Sequence, residues 1–372
     1  MGAGFWLMGW AGFTAVSVYT HDIILPHPTT GEDTRRAANS VYSIQTHPFL
    51  IVRNTAQDSS PGSALQPMQV LSTPTVVKLM ADDAQDGDMT GAAAAVSGNR
   101  LVAGAYRAGD GRGAVYIWER DPDGTGPWHQ AARLTVPEGQ EREWFGYAVA
   151  VSGDTVAAGA YGYQSGTGAV YVFERDPGEL NAWDLVKRIT ASDGGAGDRF
   201  GSAVALSGGT LIAGAPGKDA YQGAAYLFQR NQNEAGPWGE VQKLTALEGK
   251  AGDRFGIAAG IHGDTAVVGS DGENNFTGGA WVFSRNEWGV DEWGRVQPLA
   301  MDHLEPQDFY GSSVAIQGNT ILIGAPGDND QGSGAGAVYV FTRGEVQTNP
   351  WQPVQKLIAT GGGEDERFGS AT

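Results

Sequence analysis

Carboxylates dominate the chemistry this chain could do: 42 Asp and Glu stand against 24 Lys and Arg, for a formal net charge of −18. They recur as Asp86 and Asp88, Glu141 and Glu143, Asp193 and Asp198, Glu248 and Asp253, Asp302 and Asp308, and Glu364 to Glu366. Paired carboxylates can act as general acid and base. A pair present in every copy of a repeat, however, would make every copy an active site. Solvated polar turns account for these pairs better; an acidic ring that attracts cations or basic partners is the functional alternative. The six histidines (His21, His27, His47, His129, His262, His303) have neither metal-ligand spacing nor a common phase, and no G-x-S-x-G element is present. Runs such as GAGDRFG lie between strands rather than at a strand-to-helix turn, so they do not read as a phosphate loop. With no cysteine, the chain has no thiol nucleophile, disulfide or Cys-ligated metal. The acidic balance and the lack of a basic patch speak against a nucleic-acid partner. The catalytic yield is poor, and the expectation is a protein that is not an enzyme.

The elements that carry these residues repeat. Phe145-Gly146, Phe200-Gly201, Phe255-Gly256, Tyr310-Gly311 and Phe368-Gly369 follow a degenerate first copy, Thr90-Gly91, with the glycines 55, 55, 55, 55 and 58 residues apart. Trp128, Trp183, Trp238, Trp293 and Trp351 keep the same phase, as do Arg120, Arg175, Arg230, Arg285 and Arg343. Chance does not hold three registers together. Each unit reads as four short strands. Gly98-Asn99, Gly153-Asp154, Gly208-Gly209, Gly263-Asp264 and Gly318-Asn319 supply two-residue hairpins between the first and second strands. Third strands such as GAVYVFER put two aromatics on one side and apolar residues on the other, so both faces should be buried. The predicted fold is all-β: a β-propeller of four-stranded blades, with five complete repeats. A repeat architecture also explains why 372 residues need not mean several domains.

Phased tryptophans and arginines read as packing and strand-capping positions; the unphased Trp144 and Trp288 are the better candidates for stacking on sugars. Residues 1–67 fall outside the repeat and 68–372 form the propeller. Residues 3–19 are uncharged and mostly apolar, about the length of a signal h-region or short anchor, but lack the usual basic flank. The stretch VYSIQTHPFLIV could supply one or two strands. Lys78-Leu79-Met80-Ala81 is in phase with Lys243-Leu244-Thr245-Ala246, as the fourth strand of an earlier blade would be. Because the sequence stops at Phe368-Gly369-Ser370-Ala371-Thr372, just inside a further unit, a fragment of a longer propeller is expected.

The second strands end in Gly-Ala-Tyr (Gly104 to Tyr106, Gly159 to Tyr161), Gly-Ala-Pro (Gly214 to Pro216, Gly324 to Pro326) or Gly-Ser-Asp (Gly269 to Asp271). With the preceding Phe-Gly, this pattern over residues 70–372 resembles the FG-GAP repeat of integrin α-subunit propellers and of bacterial and environmental FG-GAP proteins. The resemblance implies a propeller, usually seven-bladed, on a secreted or cell-surface protein used for adhesion or ligand binding. It also implies Ca²⁺ in the loop after the GAP motif, where carboxylates and carbonyls supply hard oxygen ligands. The nearest approach here is Asp328-Asn329-Asp330-Gln331-Gly332, which makes Asp328 and Asp330 the candidate metal ligands although a third acidic position is missing.

The expected function is therefore a secreted or surface-exposed propeller that binds a protein or polysaccharide as an adhesion or interaction module, with optional structural calcium, and a monomer is expected. The alternatives are a propeller scaffold for an enzyme of lyase or phosphodiesterase type, and a carbohydrate-binding lectin. Convergent, unphased His, Tyr and carboxylate residues at the channel would favour the enzyme; an exposed Trp over a shallow pocket would favour the lectin.

Overall fold

In the computed structural model the described residues are the strands Val16–His21 and Val41–Thr46, and residues 76–372 apart from 122, 125, 180, 232–237, 345–349 and 362. The apolar stretch expected at 3–19 lies outside them except for part of the first of these strands. The chain divides into two compact units, Gly2–Met80 and Ala81–Thr372. In the first, Val41–Thr46 pairs antiparallel with both Val16–His21 and Val76–Lys78, making a three-stranded sheet.

The second unit consists of five four-stranded antiparallel sheets, each a simple meander, in a propeller arrangement. Blades 1 to 5 span residues 90–134, 148–189, 203–244, 258–298 and 313–357. Blade 2 is typical: Ala148–Ser152, Thr155–Ala160, Ala169–Arg175 and Trp183–Ile189. Its first hairpin turns on Gly153 at φ 55°, and glycines 98, 208, 263 and 318 take the same left-handed conformation at equivalent turns, as the sequence requires. The third strands carry the deepest burial. Tyr171 and Phe173 on one face and Val170 and Val172 on the other are all nearly or wholly inaccessible, as expected of a sheet covered on both sides. The first strand of each blade packs against the first strand of the next, from blade 1 through blade 5. Its small residues allow that approach.

The two glycines of the repeat motif hold neighbouring blades together. The backbone N–H of Gly146 donates to the Gly159 carbonyl at 2.9 Å, tying the start of blade 2 to its own second strand. The Gly146 carbonyl oxygen meanwhile lies where a Cβ on Gly104 of blade 1 would be, 1.8 Å from that position. The same close approach joins Gly159 to Gly201, Gly214 to Gly256, Gly269 to Gly311 and Gly324 to Gly369. Only glycine permits two backbones to approach so closely. The aromatic before the second glycine is buried between blades: Phe145 pairs in parallel with Gly113 of blade 1 and meets Tyr171 of blade 2 edge-on, with ring centroids 5.6 Å apart. Serines at the ends of first strands add a further tie, as Ser97, Ser152 and Ser207 accept the hairpin N–H of Gly153, Gly208 and Gly263 in the following blade.

After each of the first four second strands the chain makes a tight four-residue turn: Ala108–Gly111, Tyr163–Gly166, Lys218–Tyr221 and Glu273–Phe276. Each contains consecutive residues at positive φ, so none extends into a helix. In blade 5 the inserted Asp328 loop takes this place. Among the described residues no helix is long and apolar enough to cross a membrane.

Candidate functional site

The functional candidates lie in two loop sets at each blade: the linker before the Phe-Gly motif and the turn after the second strand. The linker acids are not solvated decoration. Glu143, Asp198, Asp253 and Asp308, each two residues before the aromatic, are all at least nine-tenths buried. Asp198, Asp253 and Asp308 accept the backbone N–H three residues earlier, from Gly195, Lys250 and Glu305, at 2.6–2.8 Å. Asp88 does the same with Gln85 at 2.9 Å. These carboxylates close the linker turn, so before blades 2 to 5 one member of the acidic pair is structural and inward-facing, contrary to the solvated-turn reading, whereas Glu366, in the same phase, is exposed. The reason is geometric: a buried turn leaves an N–H that needs an acceptor.

A second acid, five residues earlier, joins an aromatic hydroxyl and a cation from the same blade. In blade 1, Asp83 accepts from Tyr116 OH at 2.8 Å and pairs with Arg133 at 3.0 Å. In blade 3, Asp193 accepts from Tyr226 OH at 2.6 Å and from Lys243 Nζ at 2.7 Å. Burial pushes the Asp193 carboxyl up, but the bonds from Lys243 and Tyr226 outweigh it and carry its pKa down to about 2. Blade 5 has His303 at this position, and Asp328 takes over the role.

Asp328 and Asp330 are brought together, but around a cation the protein already supplies. Lys356 Nζ lies 2.7 Å from Asp328 Oδ2 and 2.5 Å from Asp330 Oδ2. Tyr339 OH donates to the same Asp328 oxygen at 2.6 Å, and the Asp330 N–H approaches Asp328 Oδ1 at 3.3 Å. The Lys356 bond lowers the Asp330 pKa against a smaller opposing effect of burial. Calcium takes six to eight oxygens; here both oxygens of Asp328 are engaged by donors. Among the described residues no three acidic or histidine side chains are placed to share a metal. The donor set as arranged does not fit Ca²⁺ while Lys356 stays in place.

The least repetitive surface lies on blades 1 and 2. Trp144 stacks on Tyr161 with centroids 4.7 Å apart, Tyr161 meets Tyr147 edge-on at 4.4 Å, and Tyr147 meets Tyr106 at 5.4 Å. Tyr147 is exposed and the other three are half-buried. Burial raises the pKa of both Tyr147 and Tyr161, with smaller effects from neighbouring tyrosines and Arg199, so both phenols stay neutral at pH 7. At the Tyr161 position blades 3, 4 and 5 carry Pro216, Asp271 and Pro326; at the Tyr147 position they carry Ser202, Ile257 and Ser312. Trp144 has φ 54°, but Met89, Arg199, Arg254 and Phe309 have it too at the equivalent position, so the strain belongs to the repeat rather than to a special site. The Trp288 side chain lies outside the described residues.

The model of the FG-GAP repeat family matches residues 74–118, 128–173, 183–228, 238–283 and 293–341. The chain belongs to the FG-GAP repeat family. No curated protein matches it. Each FG-GAP repeat is offset from a blade: the segment 128–173 starts at the outer strand of blade 1 and ends with the third strand of blade 2. One repeat thus carries both sides of a blade junction, so phased residues of the FG-GAP unit should serve that junction. They do. Arg175 and Arg230 reach back to Glu119 and Glu174 of the preceding blade at 3.4 and 2.5 Å, and Arg343 to Thr265 Oγ1 of blade 4 at 3.2 Å, while Arg120 and Arg343 also lie over Trp128 and Trp351 of their own blades at 5.0 and 4.7 Å. Gln242 and Gln297 exchange paired hydrogen bonds with the backbones of Trp293 and Trp351. Trp238, Trp293 and Trp351 are buried, in keeping with packing, and Trp128 and Trp183 are partly exposed.

Proposed function

We propose that this FG-GAP propeller is a non-catalytic interaction module, secreted or displayed at the cell surface, that engages a protein or polysaccharide through the loop face of blades 1 and 2. The observation that carries the reading is the patch of Tyr106, Trp144, Tyr147 and Tyr161, four partly exposed aromatics at positions where blades 3 to 5 have none but Phe309. Aromatic rings with an apolar body and a polar tip are the common anchors of binding surfaces. Packing alone would call for the same residues in every blade. An extracellular setting agrees with the family.

The polysaccharide version has its own support, since a stacked Trp144–Tyr161 pair beside exposed Tyr147 offers flat faces to sugar rings. Tyr147→Ser together with Tyr161→Pro gives blade 2 the residues of blade 3, so the fold should tolerate the change. Binding of the parent to immobilised polysaccharides and to extracellular proteins is expected to fall at least tenfold in this double variant, for whichever class the parent binds. Full binding by the variant, with an unchanged melting temperature, would remove the patch from the site.

A further inference from the structure

The repeat allows one junction to be read against another, and blade 2 lacks something blade 3 has. In blade 3, Lys218 reaches into the gap between the linker and the third strand, and its ammonium lies 3.0 Å from Asp198 Oδ2 and 2.5 Å from the Asp193 carbonyl. Both Lys218 and Asp198 are more than nine-tenths buried. Lys218 is peculiar to blade 3: Ala108, Tyr163, Glu273 and Asp328 stand at the equivalent positions of the other blades. In blade 2 the residues in phase with Lys218 and Asp198 are Tyr163 and Glu143, and no lysine enters.

A cavity of about 440 Å³ occupies the corresponding region, lined by Glu138, Glu141, Glu143, Tyr163, Tyr171 and Arg188 among others. Glu143 is only 6% exposed. Its carboxyl takes the backbone N–H of Gln140, and its Oε2 has no hydrogen-bond partner. Arg188, the only cation lining the cavity, lies over the Tyr163 ring at 5.0 Å, hydrogen-bonds to Tyr171 and forms no ion pair among the described residues. Burial raises the Glu143 pKa despite the Gln140 bond and the Arg188 charge. A buried carboxylate oxygen without a hydrogen-bond partner is costly to keep, and such groups cluster at binding sites.

We propose that this cavity in blade 2 is a site for a primary ammonium at the end of an aliphatic chain, which would take the place that the Lys218 side chain fills in blade 3. The ammonium would bond Glu143 Oε2, and the tyrosine faces would supply cation–π attraction. A lysine side chain of a partner and a free aliphatic diamine share this chemistry. The site stands apart from the aromatic patch in its reasoning, although Glu143 and Trp144 are adjacent in the chain.

The test is titration of the whole chain with n-butylammonium, Nα-acetyl-lysine methylamide and putrescine, with n-butanol as the neutral control, followed by ligand-detected NMR or calorimetry. Saturable binding of the ammonium probes is expected, at least tenfold weaker for n-butanol and at least tenfold weaker in Glu143→Gln. The tighter of the lysine and diamine probes identifies the source. Tyr163→Lys, which installs the blade 3 residue as an internal occupant, should abolish binding while leaving the melting curve intact, and it decides the matter if Glu143→Gln fails to fold. No saturable binding of any ammonium probe, equal binding of n-butanol, or unchanged affinity in the folded variants would overturn the proposal. None of these results bears on the Tyr147 and Tyr161 variants, so the two readings fail separately.

Discussion

Replacing Gly159 by Ala tests whether the motif glycines serve contact between blades rather than backbone flexibility. Gly159 has no unusual φ, so an added methyl would ordinarily stabilise by about 0.4–1 kcal/mol through the unfolded chain. Here a Cβ would stand 1.9 Å from the Gly201 carbonyl oxygen and 2.9 Å from its carbon. An ordinary close C···O contact is about 3.3–3.6 Å, so two backbones would have to separate by roughly 1.4 Å or more. Both belong to hydrogen-bonded strands or their immediate ends, and no flexible side chain can give way. Overpacking a core with side-chain atoms costs about 1–3 kcal/mol; a backbone clash with no rotamer escape should reach or exceed the top of that range. At about 2–4 °C per kcal/mol, the melting temperature should fall by roughly 6–12 °C. Gly153→Ala is the control, since it has φ 55° but nothing within 4 Å of its added Cβ. It should cost only the left-handed penalty of about 1–2 kcal/mol. Urea unfolding of both variants, at unchanged m, gives the comparison. If Gly159→Ala proves as mild as Gly153→Ala, or stabilises, the close approach of blade backbones is not what the glycine is for.

Two further predictions concern charge. Because the folded-state pKa of Asp193 is held at about 2, below its ordinary value of 3.8, the carboxylate contributes stability above about pH 4 that is lost as pH falls toward 2. Its side chain is 45% exposed, so screening reduces the contribution to roughly 1 kcal/mol or less; Asp193→Asn should be less stable at pH 7 by that amount, with the gap closing near pH 2 in denaturant titrations. Lys356→Met should destabilise by leaving Asp328 buried without its counter-charge, and millimolar Ca²⁺ should then raise the variant's melting temperature while leaving the parent's unchanged; an equal calcium response in the parent would mean that Lys356 yields to the ion.

The blade architecture was legible because its causes are local. Hairpin glycines and doubly apolar third strands are written within stretches of ten residues or fewer, and recurrence in phase multiplies each signal. The pairing of Gly104 with Gly146 and of Gly159 with Gly201 was not legible, although all four glycines belong to the motif, because it joins different repeats through the packing of whole sheets. The Asp328 loop shows the same limit. Its acids are visible in sequence, but the lysine that neutralises them lies 26 to 28 residues later on the fourth strand, and only the register that sets Tyr339 opposite Lys356 brings it back. The buried linker acids did leave a signal: an acid stands two residues before the aromatic in all five Phe-Gly or Tyr-Gly copies, a fixed phase that solvated turns have no reason to keep.

That distinction separates structure from function in a repeat. A residue kept in phase, such as Asp198 or the motif glycines, answers a need that the junctions share: Asp198 is buried and bonded to backbone, and the glycines lie against the backbone of the neighbouring blade. A departure from phase frees that position from the common need. Where the departure is compensated within the fold, as when Asp328 takes the place of an acid at the His303 position and pairs with Lys356, the counterpart of Lys243, charges still balance and the site closes. Blade 2 departs without compensation. Tyr163 brings no charge where blade 3 has Lys218, and Glu143 Oε2 is unpartnered beside a cavity, while Trp144, Tyr147 and Tyr161 put aromatic surface into solvent. Exposed aromatics and an unpaired buried carboxylate both cost stability, and a junction that carries both is where a ligand would restore the balance.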